Sequence, residues 1–306
     1  MRLKGAFMNR LGFFMGHIQQ LPQAEFLIKT FATNKSQSEL LRDYQPTLLV
    51  TNEVAAFISD ERKAFFQENK VDVIVYDSIL QNCKVPFIDK IEAAAIFEKS
   101  CDAAYLWMDV DSCFINPLHK SIKENLPEIA INPVDKRNIG DRYGQERSEF
   151  WCVLSKHLDM TLESLNSQLS TKTVISKEAI YPYYNAGMIW VNTPKALFQE
   201  TFMALENLLR LPEIITMIGD SLLHRIFIHQ VVLTLMIEKL YNGKVTMLPK
   251  GLNYPLHLYL EDTAKPVLSE LVSLRYDDYF DQNQPPQDLV TYFKEGYQTL
   301  KSTWYY

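Results

Sequence analysis

Apolar residues fall in short runs spaced along the chain. Thr47–Val50, Val71–Tyr76, Ala103–Met108, Glu128–Asn132, Met188–Val191 and Val245–Leu248 are four to six residues long, rich in β-branched or aromatic side chains and bounded by polar positions. Such runs predict strands buried on both faces. Between them, Glu53–Glu68 sets Val54, Phe57, Ile58, Phe65 and Phe66 near one stripe, and Phe87–Lys99 turns Ile88, Ile91, Ala95 and Phe97 inward. Both predict helices. Pro194–Leu211 reads as a helix with Pro in its first turn, and Asp220-Ser221 as the cap of a helix reaching Leu240. Strands alternating with helices predict an α/β fold with a mostly parallel central sheet flanked by helices.

The stretch 135–180 breaks this rhythm. It is polar and mixed in charge, carrying Gly140 and Gly144 and then an apolar cluster at Trp151–Leu154. It is expected to be an insertion, either a binding loop or a surface excursion. Gln282–Gln287 reads as a linker and Asp288–Trp304 as a last helix, with Phe293, Tyr297, Leu300 and Trp304 at helical spacing. The expected organisation is one catalytic domain over 1–281, followed by a linker and packed helix over 282–306.

Composition narrows the function. With 306 residues and 47% hydrophobic positions the chain can bury a core without staples. A net charge of −6 argues against nucleic-acid binding, which needs clustered cations to displace counterions. Cys83, Cys101, Cys113 and Cys152 form no CxxC pair and fit a reducing, cytoplasmic compartment. Asn9, Arg10 and His17 interrupt the apolar start, against a signal peptide, and no window has the length of a membrane span. The terminal Trp304-Tyr305-Tyr306 is expected to pack on the domain; its functional alternatives are a homo-oligomer contact or a peripheral membrane foot.

The candidate chemistry lies at Asp109-Val110-Asp111, directly after the run Ala-Ala-Tyr-Leu-Trp-Met. If the strand continues, the two carboxylates share a side and Val110 faces inward. The C-terminal ends of parallel strands are where open α/β sheets bind ligands. Two hard oxygen donors there suit Mn²⁺ or Mg²⁺ bridging a diphosphate. The competing reading is a turn with two solvated aspartates.

Phe87–Leu118 resembles the central segment of GT-A-type glycosyltransferases that use nucleotide-diphospho-sugars, in particular the glycogenin and galactosyltransferase group of the family-eight type. The matching residues are Lys90, Tyr105–Met108, Asp109-Val110-Asp111, Phe114-Ile115 and Pro117. Tyr184-Asn185-Ala186-Gly187, running on to Asn192, is similar to the family's aromatic-Asn-Ser/Ala-Gly strand. His229-Gln230-Val231-Val232-Leu233 resembles its Asp-Gln-Asp-x-Leu helix, and Leu248 to Tyr254 the segment beyond. The blocks keep the family's order over about half the chain.

The resemblance implies a GT-A-like fold and transfer of a sugar from a UDP- or GDP-sugar to a glycan, lipid or protein acceptor. It implies Asp109 and Asp111 at a metal, with His257 as third ligand, and Asn185 and Gln230 at the sugar or acceptor. Lys90, Met108, Val110, Ala186, Gly187 and Asn253 are the implied substrate contacts. Three departures stand beside it. The N-terminal stretch Ala6–Gln20 shows no clear nucleotide-contacting turn, Ile228-His229-Gln230 has lost both acids of the acceptor helix, and the late His-x-x-Gly-x-x-Lys segment is absent. They keep two alternatives open: a catalytically degenerate binder of glycan or nucleotide, and a sugar nucleotidyltransferase, which here lacks the usual Gly-rich basic loop.

Overall fold

The computed structural model describes residues 8–38, 41–80, 83–118, 128–162, 170–248 and 251–277. The expected linker, last helix and aromatic terminus all lie outside the described residues. In chain order the elements are β1 (Asn9–Phe14), α1 (Leu21–Lys35), β2 (Tyr44–Thr51), α2 (Asn52–Ala55), α3 (Asp60–Glu68) and β3 (Asp72–Tyr76). Then come α4 (Ile88–Lys99), β4 (Tyr105–Met108), β5 (Ser112–Phe114), β6 (Ile129–Pro133), α5 (Glu149–His157), β7 (Thr171–Lys172) and β8 (Ala179–Ile180). The chain continues with β9 (Tyr184–Val191), α6 (Leu197–Leu208), α7 (Pro212–Asp220), α8 (Leu222–Tyr241), β10 (Val245–Thr246), β11 (Tyr254–Pro255) and β12 (Ser273–Arg275). All six apolar runs contain strands.

Two units organise these elements. Among the described residues, the first comprises 8–10, 77–80, 83–107, 128–162 and 170–248; the second comprises 11–38, 41–76, 108–118 and 251–277. In the first unit the main-sheet strands run β10-β6-β9-β4. β10 pairs with β6 in parallel, whereas β6 and β9 are antiparallel, an exception to the expected parallel order. Every residue of β9 is buried, Asn185 included, and its second half, Met188–Val191, is the apolar run read from the sequence. Tyr184 ties this strand to α8: its N–H donates to Thr234 Oγ1 at 3.1 Å and its hydroxyl to Glu238 Oε1 at 2.7 Å.

Helices α4 and α6 pack through the rings of Phe97, Trp107 and Phe198, with both ring pairs at 5.6 Å. Buried Glu98 closes this contact. It accepts from Tyr105 Oη at 2.5 Å and from the backbone N–H groups of Phe198 and Gln199 at 2.9 and 3.1 Å. Those amides belong to the first turn of α6, whose N-cap, Ala196, offers no side-chain acceptor and has φ 57°. The carboxylate therefore satisfies orphaned donors from outside the helix. This also corrects the expected helix start: Pro194 lies before the helix rather than in its first turn.

In the second unit the main-sheet strands run β1-β2-β3, with β2 and β3 parallel and Leu48, Leu49 and Val50 fully buried. The segment expected to be one helix over Glu53–Glu68 divides into α2 and α3. Thr51 and Ser59 each accept a backbone N–H as separate N-caps, which leaves Phe57 in the break, 74% exposed. Neither β1 nor α1 was anticipated. Ala24, Leu27, Ile28 and Phe31 give α1 a buried stripe at helical spacing, and Pro22 stands in its first turn.

The second unit also holds a three-stranded sheet of order β11-β12-β5. β12 is antiparallel to β5, with Arg275 opposite Ser112, and parallel to β11, with Arg275 opposite Pro255. α1 buttresses β5. Asn34 Nδ2 donates to the Phe114 carbonyl at 3.1 Å, Phe114 N–H donates to Thr30 Oγ1 at 3.2 Å, and the Phe31 and Phe114 rings lie 5.7 Å apart. Gly251 begins this sheet with φ +90°; a Cβ there would stand 2.4 Å from the Glu270 carbonyl oxygen. Among the described residues no helix is long and apolar enough to cross a membrane.

Two stability predictions follow from the buried carboxylates. Glu98→Ala orphans three donors and should lower unfolding free energy by roughly 2–4 kcal/mol in urea titrations, against about 1 kcal/mol for Tyr105→Phe. Burial raises the Glu238 carboxyl above its ordinary value of 4.5, opposed by the Tyr184 hydroxyl. The folded state then keeps its proton to higher pH than the unfolded state, so this group removes stability as pH rises through that window. Glu238→Gln lacks this term. Its stability relative to the native protein should improve as pH rises from about 4.5 and level off once the pH passes the raised folded-state value of Glu238.

Candidate active site

β4 ends at Met108, and the acidic pair sits on the turn that leads into β5 rather than in a continuing strand. Strand alternation therefore does not orient the two carboxylates; the turn does. Met108 and Val110 are buried, while Asp109 and Asp111 are half-buried.

The small sheet surrounds Asp111 with partners from late in the chain. Because Ser112 faces Arg275, the residues just outside that pair meet: Tyr276 N–H donates to the Asp111 carbonyl at 3.0 Å. One residue further on, Asp277 reaches the Asp111 side chain in a hydrogen bond. Because Pro255 faces Arg275 in parallel, His257 comes alongside Asp277, with Nδ1 2.6 Å from Oδ2. The N–H direction of the ring is off that oxygen, so this is a short polar contact rather than an aligned hydrogen bond. Arg275 Nε lies 3.3 Å from the same oxygen, its side chain only 7% exposed.

Burial first, then the negative charges of Asp109 and Asp277, push the Asp111 carboxyl well up. Burial acts on Asp277 in the same direction, but His257 and the charge of Arg275 outweigh it and hold that carboxyl low. The two carboxyls are therefore pushed apart, Asp111 up and Asp277 down, by burial and charge around one hydrogen bond between them. Asp277 and Arg275 were missed in the sequence because nothing near Arg275-Tyr276-Asp277 announces a site. Only the β5–β12 register delivers them.

The first unit holds the remaining candidates. Asn185 is buried on β9; its Nδ2 donates to Asp135 Oδ2 at 3.2 Å and its Oδ1 accepts from Gly187 N–H at 2.6 Å. Ala186 and Gly187 are buried with it. Asp135, a second missed residue, follows β6 closely and reaches Asn185 through the antiparallel β6–β9 pairing.

On α8, His229 is buried, and its Nδ1 lies 2.9 Å from the Ile226 carbonyl. Burial, then the charge of Lys90, hold its imidazole down to about 3, so it is neutral at physiological pH. The Phe87 ring stands 5.1 Å from His229, with Lys90 Nζ 5.9 Å from the Phe87 centroid. Phe87 itself is 47% exposed and left-handed at φ 64°, a strained state for an aromatic residue. Gln230 Oε1 is buried without a hydrogen-bond partner among the described residues. In the second unit Asn253 Oδ1 is in the same condition, while its N–H donates to Ser273 Oγ at 2.9 Å.

The insertion expected at 135–180 is partly packed. Its Arg147 guanidinium lies 4.8 Å from the Trp151 ring and 4.4 Å from the Tyr181 ring, paired with Asp141 at 3.0 Å.

A family model described as the Rhodobacterales glycosyltransferase domain matches residues 16–241. The chain belongs to this family. No curated protein sequence matches this glycosyltransferase closely enough to count as a relative. Among solved structures, the glycosyltransferase GlyE of Streptococcus pneumoniae aligns over 98% of this chain at 13% identity and TM-score 0.50. The alignment takes in 64% of GlyE, so this chain spans less than two thirds of that protein. An active-site mutant of LgtC aligns over 96% of this chain and 95% of its own length, at 11% identity and TM-score 0.51. At such identities the likeness establishes the fold alone: this chain has a divergent GT-A-like fold.

The Asn185 geometry carries a prediction. Asn185→Asp still accepts from Gly187 but sets a carboxylate against Asp135. At neutral pH it should cost roughly 1–3 kcal/mol of stability in urea unfolding, and Asp135→Asn in the same chain should recover much of that loss.

Proposed function

We propose that this glycosyltransferase moves a sugar, of hexose type, from a UDP- or GDP-sugar to a glycan, lipid or protein acceptor. In this reading Asp109, Asp111 and His257 hold Mn²⁺ or Mg²⁺. The observation that carries it is the gathering of Asp111, His257 and Asp277 at one end of a small sheet, directly after a buried strand.

The donor chemistry fits such an ion. Carboxylate oxygens suit Mg²⁺ and Mn²⁺, an added imidazole favours Mn²⁺, and the crowded negative charge that raises Asp111 is what a cation relieves. Among the described residues no three His, Cys, Asp or Glu side chains form a ready coordination shell. When bound, the ion would supply neutralisation of charge on the departing diphosphate.

The chain's own groups would do the rest by binding and orientation. Lys90 is assigned to the donor phosphate or sugar. Asn185 and Gln230 are assigned to sugar or acceptor hydroxyls, and the unpaired Oε1 of Gln230 supports an incoming O–H donor. Asn253 offers a similar acceptor. Met108, Val110 and Ala186 have buried side chains and Gly187 has none, so their proposed substrate contacts are through the backbone. Four free cysteines support a cytoplasmic setting.

A second reading, a degenerate protein that binds nucleotide or glycan without turnover, draws on His229. The position where the family carries an acid holds a buried, neutral ring.

The deciding experiment is hydrolysis or transfer of UDP- and GDP-sugars with Mn²⁺ present. Asp111→Asn should lower metal-dependent turnover by about 100-fold or more while the protein stays folded. Full metal-dependent activity in that variant removes the metal role. Binding of nucleotide-sugars without any turnover, across a broad donor panel, favours the degenerate reading.

A further inference from the structure

Resting on the sugar-transfer reading above, we infer that Phe87 is a substrate-contacting residue whose outward ring, backed by His229, stacks on the apolar face of a hexopyranose.

The position is an unfavourable one for phenylalanine. Phe87 is the N-cap of α4, where Ser, Thr, Asp or Asn would cap the helix, and its side chain makes no capping hydrogen bond. Its backbone is left-handed, φ 64° and ψ 6°, a region that Gly or Asn occupies with less strain. Burial does not offset these penalties, since Phe87 remains 47% exposed. A lone exposed apolar side chain is ordinary. One presented by a strained backbone is a different case, because such strain gathers where ligands are gripped.

The ring is also held in place. His229 lies 5.1 Å from it with 44° between the ring planes, and is itself buried, with Nδ1 2.9 Å from the Ile226 carbonyl. A carbonyl only accepts, so Nδ1 carries the proton, and the neutral imidazole backs Phe87 without charge. With that space filled, the Phe87 ring stays outside the core.

The chemistry around the ring fits a sugar. A pyranose has a face of C–H groups edged by hydroxyls. Those C–H groups carry slight positive charge and meet the negative face of an aromatic ring, while apolar area leaves water. The hydroxyls at the edge need polar partners. Lys90 Nζ, 5.9 Å from the Phe87 centroid, supplies a donor. Gln230, next to His229 on α8, supplies an acceptor in its buried Oε1, which has no hydrogen-bond partner. All four residues belong to the first unit.

The test follows sugar protons in the full chain, native and as Phe87→Leu, Phe87→Asn and Phe87→Trp. Saturation-transfer difference spectra, with the aromatic protons irradiated and Mg²⁺ present, are taken with UDP-glucose, UDP-galactose, GDP-mannose, methyl glucoside, methyl galactoside, UDP and GDP. In the native protein one face of the hexose should receive the strongest transfer. Phe87→Leu and Phe87→Asn should weaken hexose binding about 3- to 10-fold, and Phe87→Trp should retain it. Loss confined to the nucleotide-sugars assigns the stacked ring to the donor; loss with the methyl hexosides assigns it to the acceptor. Phe87→Asn should not lower the urea midpoint, since Asn caps a helix and accepts a left-handed backbone.

Native hexose affinity in Phe87→Leu and Phe87→Asn overturns the inference, and a lowered midpoint beside it marks the ring as structural. An equal loss for bare UDP or GDP also overturns it, because the stacked group is then the base. If the native protein neither binds nor turns over any nucleotide-sugar, the sugar-transfer reading fails. The methyl hexosides then decide the stacking role alone, and their failure to bind overturns that too.

Discussion

The hydrogen bond from Tyr276 N–H to the Asp111 carbonyl is the constraint on which the candidate site depends. It locks the turn after β4 to a strand from the far end of the described chain. Register does the rest, because backbone pairing leaves little freedom in which side chains meet at a strand end. A slip of one residue in β12 would turn Asp277 to the other face and leave Asp111 and His257 without their common neighbour. Gly251 guards that register: its carbonyl accepts from Val272 and Ser273 N–H groups at 2.7 and 3.1 Å, an approach that a side chain at residue 251 would block.

The acidic cluster is kept on a firm base. α1 supports β5 by side-chain hydrogen bonds to both backbone groups of Phe114, and Ser38 Oγ donates to the Leu118 carbonyl at 2.8 Å. Polar side chains bonded to the backbone of a neighbouring segment fix position more tightly than apolar contact alone. A site built from carboxylates that repel one another needs such support, since the charges favour drifting apart.

The layers of the fold were legible in the sequence because strands buried on both faces betray themselves as unbroken apolar runs. Leu48, Leu49 and Val50 show this, as does Met188–Val191. Boundaries depending on distant partners were not legible. Nothing local to Ala196 reveals that a carboxylate from α4 will start α6, and nothing between Phe57 and Ser59 outranks the apolar stripe that suggested one helix. The same division runs through the candidate residues of each unit. Asp109 and Asp111 were visible as charges closing a hydrophobic run, and Asn185 and Gly187 through family resemblance. Asp135, Arg275 and Asp277 acquire meaning only through pairing across the sheets, which a linear pattern does not encode.

The capping of α6 by Glu98 bears on how this unit acquires its structure. An uncapped helix start, with its entry residue in the left-handed region, is a poor nucleus by itself. The amides of Phe198 and Gln199 find their acceptor only after α4 has formed and docked with Tyr105 beneath it. The two helices thus mature as one cooperative block, with a dependence running from the earlier segment to the later. In evolutionary exchange of segments between relatives, α4, β4 and α6 would have to travel together: a crossover between them would separate the cap from the helix it begins.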